Sequence, residues 1–253
     1  MKTRSYLLLV CLSIFTFACK EDDNQPAGNG NLRIEFENVV GNQSLQLGDQ
    51  TYTNASDEPY TISQFMYYVS NFTLTKKDGS NYQIPDSYFL VNQENTDSRV
   101  ITLTGIPAGD YTGLSFVIGV DSARNMSGAQ TGALDPINGM FWSWNTGYIF
   151  VRMEGNSPIS TQPSNKLQFH IGGFKGATNC IRIAAPSLNG NTLRIRNGKT
   201  PEAHYQVNVA SIFGAPNPVS FATLSAVHGG ENAVKLADNY QTMFTLDHVH
   251  NND

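Results

Sequence analysis

Five histidines, two tryptophans and three cysteines are the residues of this 253-residue chain whose chemistry goes beyond packing. His248 and His250 flank a single valine near the C-terminus. On an extended strand, side chains at i and i+2 share a face about 7 Å apart, a spacing at which two imidazoles chelate one metal ion. A solvated C-terminal tail is the other reading of the same residues. His170 stands in the apolar run Leu167 to Ile171, ahead of Gly172 and Gly173, and reads either as a ligand or as a hydrogen-bonded core histidine. His228, before Gly229 and Gly230, ranks below these, and His204, inside an alternating run, ranks lower still. The candidate ligands are therefore His170, His248 and His250, followed by His228.

Both tryptophans fall in one aromatic segment, Gly139 to Phe150, which holds Phe141, Trp142, Trp144 and Tyr148. It reads as an aromatic plug closing one end of a β fold, as a stacking platform for sugars in a surface carbohydrate-binding or adhesive module, or as a redox-active tryptophan site. Spacing alone does not choose among these. Sequence signatures of zinc knuckles, zincins, P-loops and nucleophile elbows are missing, so the chain reads as a binding protein and not an enzyme. Lys and Arg total 16 against 21 Asp and Glu, with no basic block, which argues against a nucleic-acid groove, since phosphate binding needs clustered cations.

These residues must be positioned by short strands. Leu32 to Val39 alternates apolar and polar, the period of a half-buried strand, and Phe72 and Leu74 alternate with Thr73 and Thr75 in the run Tyr60 to Lys76, which turns at Asp78-Gly79. Further strands are expected at 44–47, 88–92, 99–103, 111–120, 144–153, 166–171, 179–184, 192–196 and 204–209, separated by turn residues. Residues 121–139 lose all periodicity and read as a long loop. Ala233, Leu236, Ala237, Tyr240, Met243 and Phe244 recur at helical spacing and predict one amphipathic helix over 233–244. The expected fold is all-β, a mostly antiparallel β-sandwich with one C-terminal amphipathic helix.

The N-terminus reads as an address. Lys2 and Arg4 precede an apolar run from Tyr6 to Phe17, too short to span a bilayer, which needs about 20 residues. It ends in Ala18-Cys19, which resembles the bacterial lipobox, in which the cysteine becomes the lipidated first residue. The next residues, Lys20 to Asp23, resemble the acidic export signal of surface lipoproteins of Bacteroidota. Residues 1–18 are thus expected to be a signal peptide, 19–30 a polar tether and 31–253 one domain, anchored through Cys19 at the outer membrane, surface-exposed or facing the periplasm. Cys11 would leave with the signal, so Cys180 would be the one thiol of the folded part, a small buried hydrophobe.

Gly119-Val120-Asp121-Ser122 with Asn125, the block Gly139 to Phe150, and Phe169-His170-Ile171-Gly172-Gly173 through Cys180 resemble the MbnP family of copper-binding proteins, and Phe65 to Leu74 resembles its early strand. The Trp142-Ser143-Trp144 segment through Gly147-Tyr148 is the most specific part. The resemblance implies a β-rich extracytoplasmic protein that binds copper through histidines. It also implies a kynurenine formed by oxidation of a tryptophan, with a dihaem peroxidase-like partner, MbnH, carrying out the oxidation; Trp144 is preferred to Trp142 because a strand beginning at Trp144 sets it on one face with Thr146 and Tyr148. No histidine lies inside the tryptophan block, which departs from relatives with a Trp-x-His arrangement.

Overall fold

The computed structural model describes residues 26–142 and 147–252. The first half runs through β1 (Asn29–Val40), β2 (Gln43–Ser44), β3 (Thr51–Thr53), the long β4 (Pro59–Lys76), β5 (Asn81–Gln83), β6 (Tyr88–Asn92), β7 (Val100–Pro107) and β8 (Gly109–Ile118). A short helix α1 (Ser122–Met126) precedes β9 (Phe141–Trp142), β10 (Gly147–Tyr148), β11 (Val151–Asn156), β12 (Lys166–Ile171), β13 (Arg182–Ala184), β14 (Leu193–Ile195), β15 (Glu202–Asn208) and β16 (Ala226–His228). Helix α2 (Gly230–Tyr240) and strand β17 (Phe244–His250) follow.

Two sheets carry the fold. The first has the order β17-β15-β1-β2, with β7 also on β1; the second has β13-β8-β4-β11-β12-β16, with β3, β5 and β6 on β4 and β14 on β8. Pairing is antiparallel except for β1 with β15 and β12 with β16. Alternation along β1 buries Leu32, Ile34 and Phe36 while Arg33, Glu35 and Glu37 point away, so one face of the sheet is core and the other meets water. Across the core, Phe36 meets Tyr67 and Phe116 of the second sheet edge-on, with ring centroids 6.3 and 5.9 Å apart, and Phe244 of β17 meets Phe116 at 4.9 Å. The expected all-β sandwich is the observed architecture.

Three local expectations need correction. Strand β1 starts at Asn29, inside the stretch assigned to the tether, because Gly30 packs so closely that a Cβ there would lie 2.4 Å from Arg196 O. Helix α2 ends at Tyr240, and Phe244 opens β17: Met243 N–H turns back onto Tyr240 O while Asn208 N–H of β15 claims Met243 O, so sheet pairing overrides the helical spacing of the last two apolar residues. The run 121–139 is not featureless, since Asp121 caps α1 by accepting from the N–H groups of Ala123 and Arg124. Cys180 is buried, and burial pushes its thiol up to about 12, which fits an inert core residue.

Candidate metal centre

The first sheet brings three histidines together. His204 sits on β15, directly opposite His248 of β17, and His250 lies two residues further on the same strand. The His204 and His248 rings stack at 4.3 Å and 16°, and His250 stands edge-on to both, 5.8 and 4.7 Å away. One ring nitrogen from each residue lies within 4.8 Å of the other two. Nitrogens bound to one ion at about 2.0 Å are separated by roughly 3–4 Å, so small side-chain adjustments close the set. His204 Nε2 is buried and makes no hydrogen bond; the nearest carboxylate oxygen, Glu202 Oε2, stays at 3.5 Å. A buried imidazole nitrogen held only by a long contact to a carboxylate is under-satisfied, and a metal ion is one way to satisfy it.

A β-bulge aims the cluster outward. In β17, Phe244 and Leu246 face the core, and unbroken alternation would turn His248 and His250 inward as well. The register slips between His204 and Tyr205, which face His248 and Leu246, so Asp247 is the extra residue. Beyond it, Val249 turns to the core and both histidines turn to the face that carries His204. Asp247 Oδ2 also meets His248 Nδ1 at 2.7 Å, fixing that ring.

The surroundings are charged. Parallel pairing sets Glu35 beside His204 and Arg33 beside Glu202, while Glu202 faces His250 across β17. Glu35 Oε2 is 3.6 Å from His204 Nδ1, and Arg33 donates to Glu202 at 2.8 Å. Burial works to raise the Glu202 carboxyl, but the Arg33 bond and charge, with His204 adding to them, hold it below the usual carboxylate range.

His170 and His228 form a separate pair. They are register partners on β12 and β16 of the second sheet, with rings 4.9 Å apart. His170 Nε2 is already engaged with Glu154 at 2.7 Å, and Glu154 also accepts from Arg152 at 2.6 and 2.9 Å. Burial lowers the His170 pKa, with Arg152 pushing the same way, and prevails over the Glu154 bond that works to raise it; Glu154, although burial works to raise it, is held low by its bonds from His170 and Arg152. The four candidates chosen from the sequence thus divide into His248 with His250 on one sheet and His170 with His228 on the other. His204, ranked last, is the residue that completes the cluster. Its outward direction was readable from the alternation of Ala203, Tyr205 and Val207 with Glu202, His204 and Gln206, but its neighbours were not.

The described part of the aromatic segment lies mostly in the interior. Trp142 is 6% exposed and Tyr148 1%, so neither offers a ring face to sugars. Gly172, two residues past His170, makes room for this packing: a Cβ there would lie 2.9 Å from two Trp142 ring carbons and 2.5 Å from Tyr148 O. Trp144 and Cys19 lie outside the described residues.

Residues 29–234 match the MbnP family. The span includes His170, His204 and His228 and stops short of His248 and His250. Among solved structures the chain is similar to MbnP from Methylosinus trichosporium, at 16% identity and a TM-score of 0.52, over 80% of this chain and 82% of that one. No curated protein matches the chain.

Proposed function

We propose, from the premise that this chain belongs to the MbnP family, that it binds and handles copper at the cell envelope through His204, His248 and His250. Three imidazoles converging on one volume, one of them with a buried nitrogen that makes no hydrogen bond, carry this reading. Imidazole is a good ligand for copper. The residues present therefore fit the metal that the family resemblance implies. The pair His170 and His228 ranks second, because it offers two imidazoles in place of three and His170 Nε2 is already engaged with Glu154.

The rest of the proposal concerns the lipid anchor, the tryptophans and a partner. Cys19 would carry the lipid that holds the protein at the outer membrane, with the domain displayed at the cell surface. Trp144, or Trp142, would be the source of any kynurenine, made by a dihaem peroxidase-like MbnH partner. The protein itself would bind metal without turnover. Kynurenine replaces one carbon of the indole by oxygen and leaves an aniline nitrogen, and intact-mass measurement of protein from its own envelope reads that exchange directly. An unmodified mass in the presence of the partner removes this element and leaves histidine binding standing.

Copper titration against a competing chelator tests the site. Wild type and His170→Ala/His228→Ala are expected to bind alike, while His204→Ala and His248→Ala/His250→Ala lose affinity by at least about 100-fold, more than the 10- to 100-fold typical of losing a residue that only supports a ligand. Equal binding by all four proteins would falsify the assignment.

A further inference from the structure

The outer face of the first sheet surrounds the three histidines with oxygen and charge. Two cross-strand rows meet there: Val100, Glu35, His204 and His248 in one, and Thr102, Arg33, Glu202 and His250 in the other. Neither row contains a thiol or a thioether. Sulfur ligands are the usual selectors of Cu(I), so the cluster lacks the feature that would favour the monovalent ion over others.

The charge balance points the same way. Glu35, Glu202 and Asp247 lie within 3.6 Å of an imidazole nitrogen of His204 or His248, and Arg33 is the cation that meets two of them, 2.8 Å from Glu202 and 3.8 Å from Glu35. Three carboxylates against one guanidinium give the cluster an acidic lining. Coulomb attraction to such a lining scales with ion charge, so it favours a divalent ion over Cu(I). The His204 and His248 side chains are 24% and 44% exposed, so water has access to complete a coordination sphere of higher number.

We infer that the His204, His248 and His250 cluster is a site for a divalent transition-metal ion, with copper held as Cu(II), and that Glu35 and Glu202 select the charge of the ion without binding it. The inference rests on the copper reading above and deepens it. Since Cu(II) exceeds Zn(II) in intrinsic affinity for nitrogen sites, zinc competes weakly.

The test uses the full-length protein and three probes: Cu(II) against a calibrated amine chelator, Cu(I) against bicinchoninate under anaerobic reduction, and Zn(II) as competitor. Coulomb energy scales with ion charge, so neutralising one carboxylate weakens Cu(II) by the square of its effect on Cu(I). Glu35→Gln and Glu202→Gln are each expected to weaken Cu(II) about tenfold, the lower bound for a residue that supports a ligand, and Cu(I) about threefold. Electron paramagnetic resonance of the loaded wild type should show nitrogen hyperfine structure from imidazoles. Wild-type preference needs no variant, so a misfolded substitution does not spoil the measurement. Tighter binding of Cu(I) than Cu(II), or equal fold-losses for both ions, overturns the inference while the copper function stands. Failure of the wild type to bind either ion overturns both together.

Discussion

Deleting Asp247, one residue from a proposed ligand, should leave the site assembled. In the observed register Tyr205 faces Leu246 and His204 faces His248, so Asp247 has no partner of its own across the ladder. Its removal joins Leu246 to His248 in regular alternation, with His248 and His250 still outward and Val249 still inward. What is lost is the exposed bond between Asp247 and the His248 ring, worth about 1 kcal/mol or less in stability and no more than roughly 10- to 100-fold in metal affinity. Deleting Val249 is the contrasting perturbation, because it turns His250 toward the core and removes an inward side chain. Lost burial of about 1–2 kcal/mol and a misplaced imidazole costing about 1–3 kcal/mol together favour detachment of the strand end. It takes with it the bonds of Asn251 to Arg194 and Thr192. Copper titration and thermal unfolding of both variants beside Asp247→Asn separate the cases. Loss of binding in the Asp247 deletion as severe as in His248→Ala/His250→Ala would refute the bulge argument, and so would full binding by the Val249 deletion.

Four further outcomes are expected. Copper at 100 times its Kd should stabilise the wild type by about 2.7 kcal/mol, raising Tm by roughly 5–10 °C, because the ion ties edge strand β17 to β15; His204→Ala should show no such rise in a melting scan. Glu58 accepts from Ser220 Oγ and Phe221 N–H, both at 2.6 Å, and from Asn54 at 2.8 Å; burial opposes its charge, but these bonds prevail and hold its pKa below the usual value. Its contribution is therefore complete above the unfolded pKa of about 4.3 and fades as pH falls through the lower folded value, so Glu58→Gln should cost about 1–3 kcal/mol at pH 7 and less in acid, as read by denaturant midpoints across pH. Cys180 should resist alkylation in the native state and react only on unfolding; rapid labelling would contradict its burial. Cys19→Ser should move the protein from the membrane to the soluble fraction, and an unchanged, detergent-dependent anchoring would dispose of the lipid attachment.

Local pattern carried much of the fold. Tyr88–Asn92 and Lys166–Ile171 are strands with the bounds that their apolar spacing predicts, and the stripe from Ala233 to Tyr240 is helical. Where a run was misjudged, a distant partner decided it. Phe244 has helical spacing from Tyr240, yet its β partner is Val207, and Gly30 looks like linker until Arg196 O is seen against it. Neither partner leaves a trace in the nearby sequence. The same holds for the parallel pairing of β1 with β15, in which Glu35 lies beside His204, 169 positions further along the chain.

The metal cluster shows the limit more sharply, because its two halves were legible to different degrees. That His248 and His250 share a face follows from their spacing, and their rings are 4.7 Å apart. Which face they share does not follow: counting inward positions from Phe244 through Leu246 gives the core side, where two imidazoles would be buried. A single unpaired residue, Asp247, reverses the answer, and an acidic residue is a poor strand former that tolerates a bulge. His170 presents the opposite case. Its apolar setting and following glycines mark it strongly, yet that marking reflects a ring bonded to Glu154 and a Gly172 that admits Trp142. Sequence prominence at His170 therefore reports close packing, whereas convergence of ligands depends on strand order and one bulge, neither of which any local window contains.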